Sequence, residues 1–152
     1  MTLGAHTVRL DFYSTFEMLD VVQAVSEQLG RLAGLDEDAL HWVAVAVRES
    51  VINAIKHGNG GDEQKQVHVD FTPLDAGAPR GIAIRVRDEG PGFDPEDVPD
   101  PLAPENLLKN SGRGIFLIRS FMDEVALQRA SEGGMEVIMV KRVNTAVEQD
   151  HA

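Results

Sequence analysis

Residues 36–58 carry the pattern that most restricts what this 152-residue chain can fold into. Leu40, Val43, Val47, Val51 and Ala54 recur at three- and four-residue spacing, which lines them up as one apolar stripe on a helix. Asp36 supplies an N-cap, Leu35 and Leu40 occupy the positions of a hydrophobic staple, and Gly58-Asn59-Gly60-Gly61 ends the helix. Such a helix must bury its stripe against another layer. Away from the stripe, Glu49 and Asn53 stand four apart and therefore share a face, one turn from each other. An acid beside an oxygen ligand can take a proton and hold a magnesium ion, although a polar pair by itself is ordinary for a solvated helix face.

The flanking sequence names the partner layer. His6–Phe12, Gln66–Phe71, Gly81–Arg87, Asp123–Arg129 and Met135–Val143 alternate or run apolar as strands do. A second helix is predicted over Thr15–Ala33, on Met18, Val22, Val25, Leu29 and Leu32, with Gly34 ending it. A third opens at Gly112-Arg113-Gly114 and runs to about Met122, where Phe116 and Phe121 are read as core. Thr72–Arg80, with Pro73, Gly77 and Pro79, reads as a loop. Residues 91–104 hold five of the seven prolines and continue irregularly to Ser111. The order β-α-α-β-β-loop-α-β-β predicts an α+β fold: a two-layer α/β sandwich, its sheet mixed but mostly antiparallel, with helices on one face. One domain is expected over 1–143, followed by a polar, frayed tail at 144–152.

Composition excludes several function classes. A formal charge of −11 argues against a nucleic-acid surface and means that an anionic ligand must be met by local cations or backbone N–H groups. There is no cysteine, hence no disulfide and no thiolate metal site. No apolar run approaches the roughly 20 residues that span a bilayer, and the start of the chain does not read as a signal peptide, so a cytoplasmic protein is expected.

Two further clusters accompany Glu49 and Asn53. Asp88-Glu89-Gly90-Pro91-Gly92 puts a carboxylate at a strand end beside glycines that allow close approach of a ligand. Gly112-Arg113-Gly114 lies at a helix start, where free N–H groups suit phosphate. Each is weak alone; an Asp-Glu-Gly-Pro-Gly string is usually a plain turn. Gly112-Arg113-Gly114 is neither a Walker A loop nor a Rossmann fingerprint. In order, at spacings of 39 residues (Glu49 to Asp88) and 24 (Asp88 to Gly112), they resemble the N, G1 and G2 boxes of the Bergerat-type ATP-binding (GHKL, HATPase) fold shared by gyrase B, Hsp90, histidine kinases and MutL. The strings Glu49-Ser50-Val51-Ile52-Asn53-Ala54-Ile55-Lys56-His57-Gly58 and Gly112 through Val125 are most similar to the anti-sigma-factor serine/threonine kinases (RsbW-like).

The resemblance implies ATP and Mg²⁺ as cofactors. Asn53 would ligate the Mg²⁺, and Glu49 would act as general base toward the acceptor hydroxyl. Asp88 would bind the adenine amine, with Gly90 and Gly92 shaping the pocket. Lys109, Gly112, Arg113 and Gly114 would lie in a lid and around the phosphates. His57 would either line the same pocket or cap the helix end. The family commonly has Thr after the glycine of the last hairpin; here Gly134 is followed by Met135. Trp42 lies near the Glu49 face and reads most simply as core, or else as a cover for the pocket or a partner. The implied partners are a STAS-type anti-anti-sigma protein, a sigma factor and a second copy of the chain. Two alternatives stay open: a non-catalytic ATP-binding module that sequesters a protein partner, and a detached histidine-kinase ATPase domain. Glu49 argues against the first, and the lack of a helix bearing a phospho-acceptor histidine argues against the second.

Overall fold

The computed structural model describes residues 6–74, 80–92 and 110–144, and the side chains of 110–115 are left aside. Five strands form one sheet: β1 (Val8–Tyr13), β2 (Gln66–Leu74), β3 (Gly81–Arg87), β4 (Glu124–Arg129) and β5 (Met135–Arg142), in the order β1-β2-β3-β5-β4. Among the described residues every neighbouring pair is antiparallel, so no parallel pair joins the expected mostly antiparallel sheet there. Helices α1 (Leu19–Leu32), α2 (Glu37–Asn53) and α3 (Asn110–Phe121) complete the α+β fold.

Strand alternation decides which side is dry. Phe12, Val67, Val69, Phe71, Ile82, Ile84, Val86 and Met139 are buried with Val22, Leu40, Val43, Val47, Val51 and Ile118 of the helices. Burying each such side chain contributes roughly 1.5–3 kcal/mol. The other face of the sheet is charged. Arg85 bonds Glu132 at 2.9 Å, pairs closely with Glu136 and lies 3.7 Å from Asp70, which also holds Arg9 at 2.7 Å. One dry and one wet face is what an antiparallel sheet allows.

Local chemistry sets the helix ends. Thr15 accepts from the Glu17 N–H at the 3-10 turn Phe16–Met18 that leads into α1. Gly34, at φ 98°, ends α1 in a Schellman arrangement: its N–H bonds the Arg31 carbonyl and the Leu35 N–H bonds the Gly30 carbonyl. Asp36 then caps α2 through the Ala39 N–H at 2.8 Å.

Four readings are corrected. Leu32 is 57% exposed, because the inner line of α1 runs through Leu19, Val22, Ser26 and Gly30. Small residues serve there because α2 packs close: a Cβ on Gly30 would fall 2.7 Å from Leu40 Cδ2. Phe116 is 43% exposed rather than core. Trp42, 38% exposed, stacks on Phe121 with ring centroids 4.1 Å apart. Pro73 belongs to β2, not to a loop. The β1 register ends at Val8↔Phe71, so β2 is an edge beyond it, where the missing N–H of proline does no harm. The proline-rich segment after Gly92, Lys109, the centre of the predicted 72–80 loop and the tail from 145 lie outside the described residues.

Candidate functional site

Antiparallel topology brings four chain ends to one edge of the sheet. The end of β3 lies beside the start of β5, with the Asp88 N–H bonded to the Met135 carbonyl at 3.0 Å. The start of β2 (Gln66) and the end of β1 (Ser14) lie there too. The C-terminus of α2 meets them through a feature the sequence did not announce. After Asn53 the helix widens into a π turn, Ala54–Gly58, closed by the Asn59 N–H on the Ala54 carbonyl at 2.8 Å. Such turns are rare and concentrate at functional sites.

Asp88 is the centre of this edge. It is 6% exposed, and its Oδ1 accepts from the N–H groups of Gly90 (3.0 Å) and Met135 (3.1 Å). Its Oδ2 accepts no hydrogen bond from a described residue. Three glycines give it room. A Cβ on Gly58 would overlap Asp88 Oδ2, one on Gly134 would overlap the Asp88 carbonyl, and one on Gly90 would overlap the Gly58 carbonyl. Gly134 also has φ 81°, which side chains disfavour. Gly92, at φ 72°, packs toward Arg129 and Gly134. Met135 donates to Asp88 through its main chain, a bond that does not depend on the side chain at 135.

Glu49 and Asn53 are half-buried on α2, and neither side chain makes a hydrogen bond or ion pair with a described residue. Polar groups half out of water without partners are available to a ligand. His57 is exposed on the π turn. It stands in the last turn of the helix end, where a basic side chain suits the free carbonyls, and makes no hydrogen bond with a described residue. Gly112, Arg113 and Gly114 lie within the first turns of α3, which starts earlier than expected, at Asn110. The N–H groups of residues 110–112 are thus those within the helix that lack intrahelical acceptors. Among the described residues no three His, Asp or Glu side chains converge as a metal site. Magnesium needs no such cage: it keeps its waters and takes phosphate oxygens, so one protein oxygen such as that of Asn53 fits it.

Sequence reasoning missed the residues beneath Asp88. Asn59 is 3% exposed and fully bonded. Glu89 accepts from the Gln66 N–H at 2.7 Å and lies 2.9 Å from His68 Nε2, while His68 Nδ1 reaches Asp11. The Gln66 N–H, then His68, hold the Glu89 carboxyl below the usual carboxylate range. Only the adjacency of Asn59 to Gly58, and of Glu89 to Asp88, hinted at these roles.

Residues 12–141 match the histidine kinase-like ATPase domain, from the end of β1 into β5. The chain belongs to the histidine kinase-like ATPase domain family. Within the family it is similar to the serine-protein kinase RsbW of Staphylococcus epidermidis, 33% identical over 118 residues, covering 73% of this chain and 70% of that protein. It is also similar to the serine-protein kinase RsbW of Listeria monocytogenes serovar 1/2a, 28% identical over 126 residues, covering 79% and 76%. The crystal structure of the RsbU and RsbW domains of Rv1364c from Mycobacterium tuberculosis shares the fold, with a TM-score of 0.60 at 16% identity. That match covers 90% of this chain but 32% of the longer protein. Among the described residues no helix of this ATPase domain is long and apolar enough to cross a membrane.

Proposed function

We propose that this RsbW-like chain is a cytoplasmic protein serine/threonine kinase of anti-sigma type. It binds Mg·ATP, phosphorylates a STAS-type anti-anti-sigma protein and sequesters a sigma factor, as a homodimer built from a single domain over 1–143. The observation that carries the reading is the meeting of the α2 end with the Asp88 turn: Gly58 packs on a buried carboxylate whose Oδ2 is unoccupied by described donors, on the same helix that holds Glu49 and Asn53 without partners among the described residues. The RsbW relatives are serine-protein kinases, which supports the kinase assignment.

When bound, Mg·ATP supplies the phosphoryl group and neutralises charge as it moves. The chain positions the rest. Asp88 Oδ2 accepts from the exocyclic amine, Gly90 and Gly92 leave space for the ring, and the Asn53 amide oxygen ligates the cation. Lys109, Gly112, Arg113 and Gly114 would supply donors to the phosphates, and His57 would line the pocket. Glu49 accepts the proton of the acceptor hydroxyl. Phosphoryl transfer depends mainly on positioning and charge, so these few groups suffice.

Calorimetry with ATP and ADP, with and without Mg²⁺, tests the site. We expect Mg²⁺ to tighten ATP binding in the native chain and to have no effect in Asn53→Ala. Equal tightening in the variant would remove Asn53 as the ligand, and no binding at millimolar ATP would remove the nucleotide reading. Transfer to an acceptor is tested by the acid stability of the product, since phosphoserine survives acid and phosphohistidine does not.

A further inference from the structure

Asn59 sits where the helix end, the Asp88 turn and the first two strands meet. Its Oδ1 accepts from the Glu89 N–H at 2.7 Å. Its Nδ2 donates to the Gln66 carbonyl at 3.0 Å and to Ser14 Oγ at 2.9 Å, and Ser14 Oγ in turn donates to the Lys65 carbonyl at 2.8 Å. A carboxamide suits this junction because it offers an acceptor and two donors from one plane. The Asn59 N–H also closes the π turn.

The consequence for Asp88 follows from what else holds it. Oδ1 and the Asp88 N–H tie it to Gly90 and Met135, that is, to its own turn and to β5. The Glu89 side chain ties the turn to β2 through the Gln66 N–H and His68. None of these reaches α2. Gly58 and Gly90 touch across the gap only by van der Waals contact. Among the described residues, the bond from the Glu89 N–H to Asn59 is the sole hydrogen bond between the Asp88–Gly90 turn and the end of the helix carrying Glu49 and Asn53.

We propose that Asn59 is a positioning residue that fixes the distance between the base-reading Asp88 and the phosphate- and metal-facing helix, so that adenine selectivity depends on a side chain that never touches the nucleotide. This rests on the ATP reading above. Losing the bond frees the Glu89 N–H and lets the turn drift from the helix. Selectivity for the base then falls while phosphate binding, which belongs to the helix ends, survives.

The test compares binding of Mg·ATP, Mg·GTP and Mg·tripolyphosphate by calorimetry in the full chain and three variants. Asn59→Ala should lower the ATP-to-GTP affinity ratio about tenfold, the effect of one lost hydrogen bond, while tripolyphosphate binding changes by less than about threefold. Ser14→Ala removes a strut on the far side of the junction; it should lower the melting temperature and leave the ratio unchanged. Asn59→Asp keeps the acceptor for the Glu89 N–H and loses both donors; it should melt earlier yet keep most of the ratio, and it carries the test if Asn59→Ala does not fold. A native ratio in Asn59→Ala, or a ratio lost equally in Ser14→Ala or Asn59→Asp, overturns the role of Asn59 and leaves the ATP reading standing. A native chain that binds tripolyphosphate but neither nucleotide overturns the ATP reading itself.

Discussion

Glu49 and Asn53 show how much one helical turn can settle. Their spacing alone puts both on one face, and the fold leaves both half-buried without partners among the described residues. If Glu49 is the general base, Glu49→Gln keeps its shape and loses only the proton acceptor. Nucleotide affinity should then stay near native while phosphoryl transfer falls by about 10²–10⁴. Single-turnover transfer measured beside calorimetry separates the two; full activity in the variant removes Glu49 from the mechanism. Asp88 was equally legible as a strand-end acid among glycines, but its burial and its bond to Met135 were not. Gly134 and Met135 lie 46 and 47 residues further along the chain, and only the β3–β5 pairing brings them beside Asp88.

At the scale of elements, the capped start of α2 and the glycine end of α1 were read correctly, because caps are local chemistry. The π turn was not readable, since it reflects where the helix end must meet the Asp88 turn. The charged face of the sheet yields a pH prediction. The Arg85 guanidinium first, then the Glu132 N–H and the Ser131 hydroxyl, hold the Glu132 carboxyl at about 2, below its ordinary value of 4.5. A depressed carboxylate stabilises the fold above its unfolded value, and that contribution is lost as pH falls through the folded one. Melting temperatures followed downward from pH 5 should therefore fall more steeply in the native chain than in Glu132→Gln, with the two curves converging near pH 2. Because Glu132 is an exposed group, about 1 M salt should shrink the difference. Parallel curves would mean that the Arg85 pair contributes nothing to the pH dependence.

The whole molecule is held by the layer between sheet and helices. Ile84, fully buried, pairs with Phe71 on one side and Met139 on the other at the middle of the sheet. Ile84→Ala should cost about 2–5 kcal/mol, read as a lower urea midpoint at unchanged slope. A loss below about 1 kcal/mol would show that the core relaxes into the space. Saturating nucleotide should raise the midpoint of both proteins, since a ligand that binds only the folded state stabilises it by mass action.

The sequence by itself determined the elements, their order and the face each buries, because periodicity, caps and glycine stops act within a few residues. The strands from Gln66, Gly81, Asp123 and Met135 and the stripe from Leu40 to Ala54 follow from it directly. Tertiary structure alone decided the rest. Pro73 became a strand residue because β1 stops short of it; Leu32 lost its place in the core because α2 packs against Gly30; and Phe116 faces out. Asn59, in sequence one member of a turn, became a buried junction because strands β1, β2 and β3 and the end of α2 meet at one edge of the sheet. A polar side chain is buried only where distant segments supply its partners, and no local pattern records which segments those are.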